Sequence, residues 1–195
     1  MDVIAVAQEL MKFRTETGNR EQINKCLQYC RNLLENSGAI VEIAEFDKAS
    51  PVLFIRNRRT EDFDVLCLGH LDVVPAADEM FVPQIRDGKL FGRGSLDMKS
   101  FAAVALNSME CVLKNNLNLN FGVILSTDEE KEAPALMPLW RPIRKFPPKL
   151  FWTTTPAAIF IKLSASAKIR SLSNLSPKVW KPTVQPLGKE LTPMK

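Results

Sequence analysis

The chain has 195 residues, one His, four Cys and a net charge of +4, with 46% hydrophobic and 25% charged residues. That composition is globular and excludes a disulfide-stapled miniprotein and a low-complexity disordered chain. No apolar run reaches the ~18 residues of a membrane span, and Met1 to Ala7 lack a basic leader, so a cytoplasmic protein without membrane contact is expected.

Val3, Ile4, Ala7, Leu10 and Met11 recur at helical spacing and predict a first amphipathic helix. Thr15 to Gly18 breaks it. Asn19 and Gln22 then have the spacing of a capping box, opening a second helix with Ile23, Leu27, Cys30, Leu33 and Leu34 as its buried stripe and Gly38 as its stop. Cys26 and Cys30 share a face of that helix. No CxxC pair exists, so the thiols read as buried and reduced rather than as a zinc knuckle or redox motif.

Val41–Phe46 and Val52–Asn57 predict strands joined by a turn at Asp47 to Pro51. Asp64–Gly69 is an almost unbroken apolar run, as in a strand buried on both faces. A long polar loop is expected from His70 to about Leu96. A helix is expected from Asp97 to about Lys114, with Phe101, Val104, Ala105, Met109 and Val112 inward. Phe121–Thr127 is a further buried strand. Strand, helix, strand is a crossover unit, so the last two strands should be parallel. The class is α/β, a mixed sheet with helices on both faces.

Ligands of open α/β sheets sit outside the carboxyl ends of the strands. His70 and Asp72 follow one predicted strand, Asp128, Glu129 and Glu130 follow the other, and Asp97 opens the crossover helix. One rim thus receives an imidazole and several carboxylates. Such carboxylates repel one another unless a cation is bound, and the N/O donor set suits zinc, cobalt or manganese.

Three segments carry a family resemblance: Gly69-His70-Leu71-Asp72-Val73-Val74-Pro75, Asp87 to Lys99 with its Gly92-Arg93-Gly94-Ser95-Leu96-Asp97-Met98-Lys99 run, and Ser126-Thr127-Asp128-Glu129-Glu130. Over residues 1–131 the chain resembles the acetylornithine deacetylase / succinyl-diaminopimelate desuccinylase family of metal-dependent amidohydrolases and peptidases, to which aminoacylases and carboxypeptidase G also belong. The resemblance implies the N-terminal half of a zinc-peptidase-like catalytic domain holding two zinc ions, acting on a small N-acyl amino acid or peptide. By position, His70 would bind one metal, Asp97 would bridge two, and Glu130 would bind the second. Asp72 would fix the His70 tautomer. Glu129 would be the general base, taking a proton from the attacking water and returning it to the leaving amine. Arg93 and Lys99 would support the loop. The Gly92-Arg93-Gly94 run is not a dinucleotide loop, because Asp97 stands where the third glycine would be.

Composition changes near residue 131. Residues 1–130 hold 14 Lys+Arg against 20 Asp+Glu, a balance of −6; residues 131–195 hold 12 against 2, a balance of +10. The later segment has ten of the 13 prolines, all three tryptophans, no Asp and no His. Ser100 replaces a family glycine, and Pro138 and Pro142 would break the helix that the family places next. The expectation is a partial catalytic domain over residues 1–131. A Pro-rich, poorly ordered basic tail is expected over 132–195, with room for one short strand within Phe151 to Leu163 and with the family's lid and oligomerisation domain missing. The A-rich codons available to Glu129-Glu130-Lys131-Glu132 invite a frameshift as its origin. The tail's Trp140, Trp152 and Trp180 form no nucleic-acid module. The alternative to a hydrolase is a catalytically inactive remnant lacking the C-terminal metal ligands.

Overall fold

The structure is a computed structural model and describes residues 1–45, 50–131, 150–155 and 158–159. Helix α1 spans Val3–Lys12, and the Asp2 carboxylate caps it by accepting from the N–H groups of Ile4 and Ala5. Helix α2 spans Arg20–Leu34, with the Asn19 side chain accepting from Gln22 N–H at 3.4 Å. The expected stripe is buried except for the half-buried Leu33, and Cys26 joins it. Gly38 has φ +86°, a left-handed conformation that suits a stop just beyond α2.

Strands β1 (Ile40–Ala44) and β2 (Val52–Arg56) pair antiparallel. Phe46 and most of the turn expected after it lie outside the described residues. Strand β3 (Val65–His70) leads into a loop with more structure than expected. It holds a 3₁₀ turn at Asp78–Phe81 and a hairpin of β4 (Gln84–Arg86) and β5 (Lys89–Phe91). Asp87 and Gly88 turn that hairpin with φ +50° and +69°, the backbone that a two-residue Asp-Gly turn adopts. Helix α3 spans Lys99–Lys114, so Asp97 lies just before the helix rather than inside it. Its inward residues are as expected, except that Val104 is half-buried and Ala102, Ala103 and Leu106 are added to the buried set. Strand β6 (Phe121–Ser126) is buried throughout.

The main sheet has the order β1-β2-β6-β3-β7-β8, with β7 at Leu150–Thr155 and β8 at Ala158–Ile159. Strand β3 runs parallel to β6 on one side and to β7 on the other, as the crossover requires. The sheet therefore continues past the composition break at residue 131. The tail residues expected to be poorly ordered, 132–149, 156–157 and 160–195, lie outside the described residues. No described helix is long and apolar enough to cross a membrane.

Helices α1, α2 and α3 bury their apolar stripes against Leu53, Ile55, Cys67, Val123 and Leu125 on one face of the sheet. Of the helices expected on both faces, the three described ones share this face. On the other face Val52, Leu66 and Ile124 gather around Phe63. Gly69 shows how tightly α3 is laid down: a Cβ there would come within 2.9 Å of the Phe101 ring and 3.1 Å of Met98. That close approach holds the start of α3, and Asp97 before it, beside the end of β3.

Candidate active site

Parallel pairing in register makes the carboxyl ends of β3 and β6 flush, with His70 opposite Ser126. Leu71 N–H still donates to Ser126 O at 2.8 Å, which extends the register one residue beyond the strands. The residues after β3 and those after β6 therefore leave the sheet side by side.

His70 and Asp72 are buried, at 1% and 0% exposure. Ring nitrogen Nδ1 of His70 lies 3.0 Å from the carbonyl oxygen of Asp72 and 3.4 Å from Oδ1 of its carboxylate. Both are acceptors, so the Nδ1 proton is held there, and Nε2 is turned to the opposite side. Nε2 is 3.0 Å from Asp97 Oδ1 and 3.7 Å from Glu129 Oε2. Asp97 and Glu129 are about one-third exposed, so the cluster opens to solvent on their side.

Asp72 organises the other half of the cluster. Its carboxylate accepts Glu129 N–H and Glu130 N–H, each at 3.1 Å, and the Thr17 hydroxyl at 2.8 Å. The backbone of the 3₁₀ turn Glu129–Lys131 is thereby fastened to the residue that also faces the imidazole. The structure thus brings together His70, Asp72, Asp97 and Glu129. The Glu130 carboxylate makes no ion pair within 4.0 Å of His70 among the described residues; its backbone is what joins the cluster. Asp128, a neighbour in sequence, is buried.

Electrostatics follow from this crowding. Burial opposes a charge on His70, but the hydrogen bond and charge of Asp72, with the charge of Glu129, outweigh it and raise the imidazole to about 9. Burial pushes Asp72 upward, and the bond and charge of His70, aided by Thr17 and Glu130 N–H, overcome this and hold it below its usual value. Burial, with the like charges of Asp97, Asp72 and Glu129, pushes Glu130 up against the opposing pull of His70.

Among the described residues, no three His, Cys, Asp or Glu side chains stand in a finished metal-coordinating arrangement. The donor chemistry nonetheless fits a divalent cation. Imidazole Nε2 lies 3.0 Å from Asp97 Oδ1 and 3.7 Å from Glu129 Oε2, an N/O donor set that suits a cation of borderline hardness.

Two supporting residues complete the picture. Lys99, expected to support the loop, is fully buried and donates from Nζ to Phe13 O at 2.7 Å, tying α3 to the end of α1. Arg93 N–H donates to Met80 O at 2.7 Å. Thr15 and Thr17 were not legible as site residues: Thr-Glu-Thr after a helix reads only as a break.

Residues 66–156 match the model of peptidase family M20/M25/M40, and the match runs past residue 131. The solved human carnosine dipeptidase 1 has the same fold, with a TM-score of 0.62 at 20% identity over 74% of this chain and 35% of that one. So does an M20 family metallo-carboxypeptidase of Sulfolobus solfataricus, with a TM-score of 0.64 at 19% identity over 78% and 37%.

More particular relatives are succinyl-diaminopimelate desuccinylases. That of Wolbachia sp. subsp. Brugia malayi is 29% identical over 143 residues, 68% of this chain and 35% of the relative. That of Orientia tsutsugamushi (strain Boryong) is 30% identical over 141 residues, 67% and 35%. The chain spans about a third of the length of these curated relatives.

Proposed function

We propose that this chain carries the first part of the catalytic site of a zinc-dependent amidohydrolase that cleaves the amide bond of a small N-acylated amino acid or peptide. The observation that carries the reading is the convergence of His70 Nε2, Asp97 Oδ1 and Glu129 Oε2, within 3.0 and 3.7 Å of the imidazole nitrogen, at the flush ends of β3 and β6. The relatives' names support the substrate class, since they include desuccinylases and a dipeptidase.

In this reading His70, Asp97 and Glu130 would hold the zinc; cobalt or manganese suits the same donors. Zinc, when bound, polarises the scissile carbonyl and makes water a better nucleophile near neutral pH. The chain's own residues do the rest. Asp72 keeps the proton of His70 on Nδ1 and so leaves Nε2 as the donor. Glu129, on the open side of the cluster, accepts a proton from the attacking water and delivers it to the departing amine. The carbonyl carbon gains the water oxygen and loses the amine nitrogen, so proton and bond counts close. The unpaired thiols fit a cytoplasmic setting.

A second reading is a zinc-binding remnant without turnover: among the described residues no three His, Cys, Asp or Glu side chains stand together as a metal site. One experiment separates the two. The chain is loaded with zinc and assayed on N-succinyl and N-acetyl amino acids and on a dipeptide. Turnover abolished in Glu129→Gln supports the hydrolase. Zinc held by His70 and Asp97 with no turnover supports the remnant.

A further inference from the structure

The short segment between α1 and α2 forms part of the site. Glu16 makes a parallel bridge with Val73, Val73 N–H donates to Thr15 O at 3.0 Å, and Thr17 N–H donates to Val73 O at 3.3 Å. The Thr15 hydroxyl donates to Leu71 O, and Lys131 Nζ reaches Thr17 O at 3.2 Å. Residues 15–17 are thus strapped to both segments that leave the sheet beside the cluster.

This strap holds Thr17 with its hydroxyl 2.8 Å from Asp72 Oδ2. A threonine is stiff about χ1, so a fixed backbone fixes its hydroxyl. Apart from His70, Thr17 is the one side-chain partner of the Asp72 carboxylate among the described residues. That carboxylate is fully buried, so water is poorly placed to replace a lost donor. Its two oxygens do different work: Oδ1 faces His70 and Glu129 N–H, while Oδ2 takes Thr17 and Glu130 N–H. Without the hydroxyl the carboxylate is free to turn and disturb both sets.

We propose that Thr17 is a positioning residue of this site, its hydroxyl fixing Asp72 and, through it, the His70 ring and the Glu129–Glu130 turn. The effect on hydrolysis rests on the function proposed above; the effect on His70 does not.

The sequence has a single His, so ¹⁵N-histidine labelling reports the ring nitrogens of His70 alone. The metal-free wild type, Thr17→Val and Thr17→Ser are compared, with zinc affinity measured on the same samples. The expected result is a shifted pair of ring resonances and moved Glu129 and Glu130 amide signals in Thr17→Val, with a roughly tenfold loss of zinc affinity. Thr17→Ser should restore all three. Unchanged ring resonances in Thr17→Val, or a Thr17→Ser displaced as far as the valine variant, would overturn the proposal. Should the valine variant not fold, the wild type decides. Its Thr17 hydroxyl proton should be protected from exchange and give a deuterium isotope shift at the Asp72 carboxylate carbon, and absence of that shift overturns the proposal. A zinc-loaded chain without turnover would count against the hydrolase alone and leave these signals standing.

Discussion

The β3–β6 pair is polar at both ends, and the two ends use polarity in opposite ways. At the amino end Asn57, Asp64 and Asn120 each find a backbone group. Asn57 donates to Leu119 O and accepts Phe121 N–H, both at 2.8 Å, while Asp64 accepts Asn120 N–H at 2.7 Å and Asn120 donates to Asp62 O at 2.8 Å. These bonds close the turns that start the strands. At the carboxyl end the side chains face one another, with His70 against Asp97 and Glu129. Asp72 belongs to both styles, since it clamps two backbone N–H groups and also faces the imidazole. A polar cluster that ends on backbone builds a fold. One whose charges face each other can serve a ligand instead.

The largest effect is expected at the carboxyl end: if the zinc-loaded chain turns over, Glu129→Gln should lower kcat about a thousandfold while leaving the thermal melt unchanged. A melt that falls with it would make Glu129 a structural residue like Asn57.

Lys99 lies beneath the carboxyl end, and its response should be to pH. Burial lowers its ammonium from 10.5 to about 8, although the nearby Cys26, Cys30 and Asp72 pull the other way. Between those values the unfolded chain binds more protons than the folded one, so stability should rise as pH increases from about 8 to 10.5 and be lost as pH falls back through 8. The change should be on the order of 3 kcal/mol and absent in Lys99→Met, as denaturant unfolding at several pH values will show.

At the amino end, Asn57→Ala should cost about 1–2 kcal/mol in denaturant unfolding, because it orphans backbone groups at both Leu119 and Phe121. Zinc affinity should not change; a drop would mean that the two ends are not independent. The smallest effect concerns the core between them. Cys111 is exposed, whereas Cys26, Cys30 and Cys67 are buried, and burial pushes the Cys67 thiol up to about 12. A thiol reagent should label Cys111 alone in the native chain and all four cysteines in denaturant.

Much of this was legible beforehand. The 3.6-residue spacing of α1, α2 and α3 and the apolar runs of β3 and β6 fix the crossover, and the crossover alone puts His70 and Glu129 at one rim. The hairpin of β4 and β5 was read as loop: Asp87-Gly88 is a turn signal, but the polarity around it hides the two short strands. Other features depend on tertiary contact. Nothing in Thr15-Glu16-Thr17 marks it as a strap, because its partners at Leu71–Val73 are 55 or more residues away. Likewise the burial of Lys99 is set by the approach of α1, which a helix opening on a lysine does not announce. The short strand expected within Phe151 to Leu163 overlaps β7, which pairs with β3 despite the basic, proline-rich segment around it: composition marks a change of sequence character, while strand pairing is decided by backbone.

The central claim is that His70 and Asp97 jointly hold a divalent cation. Its most direct test is calorimetric titration of the purified chain with zinc, run beside Asp97→Asn and His70→Gln, with the fold of each checked by circular dichroism. The account predicts saturable binding by the wild type and a loss of affinity of at least tenfold in each folded variant. Equal binding by all three, or no binding by the wild type, would contradict it.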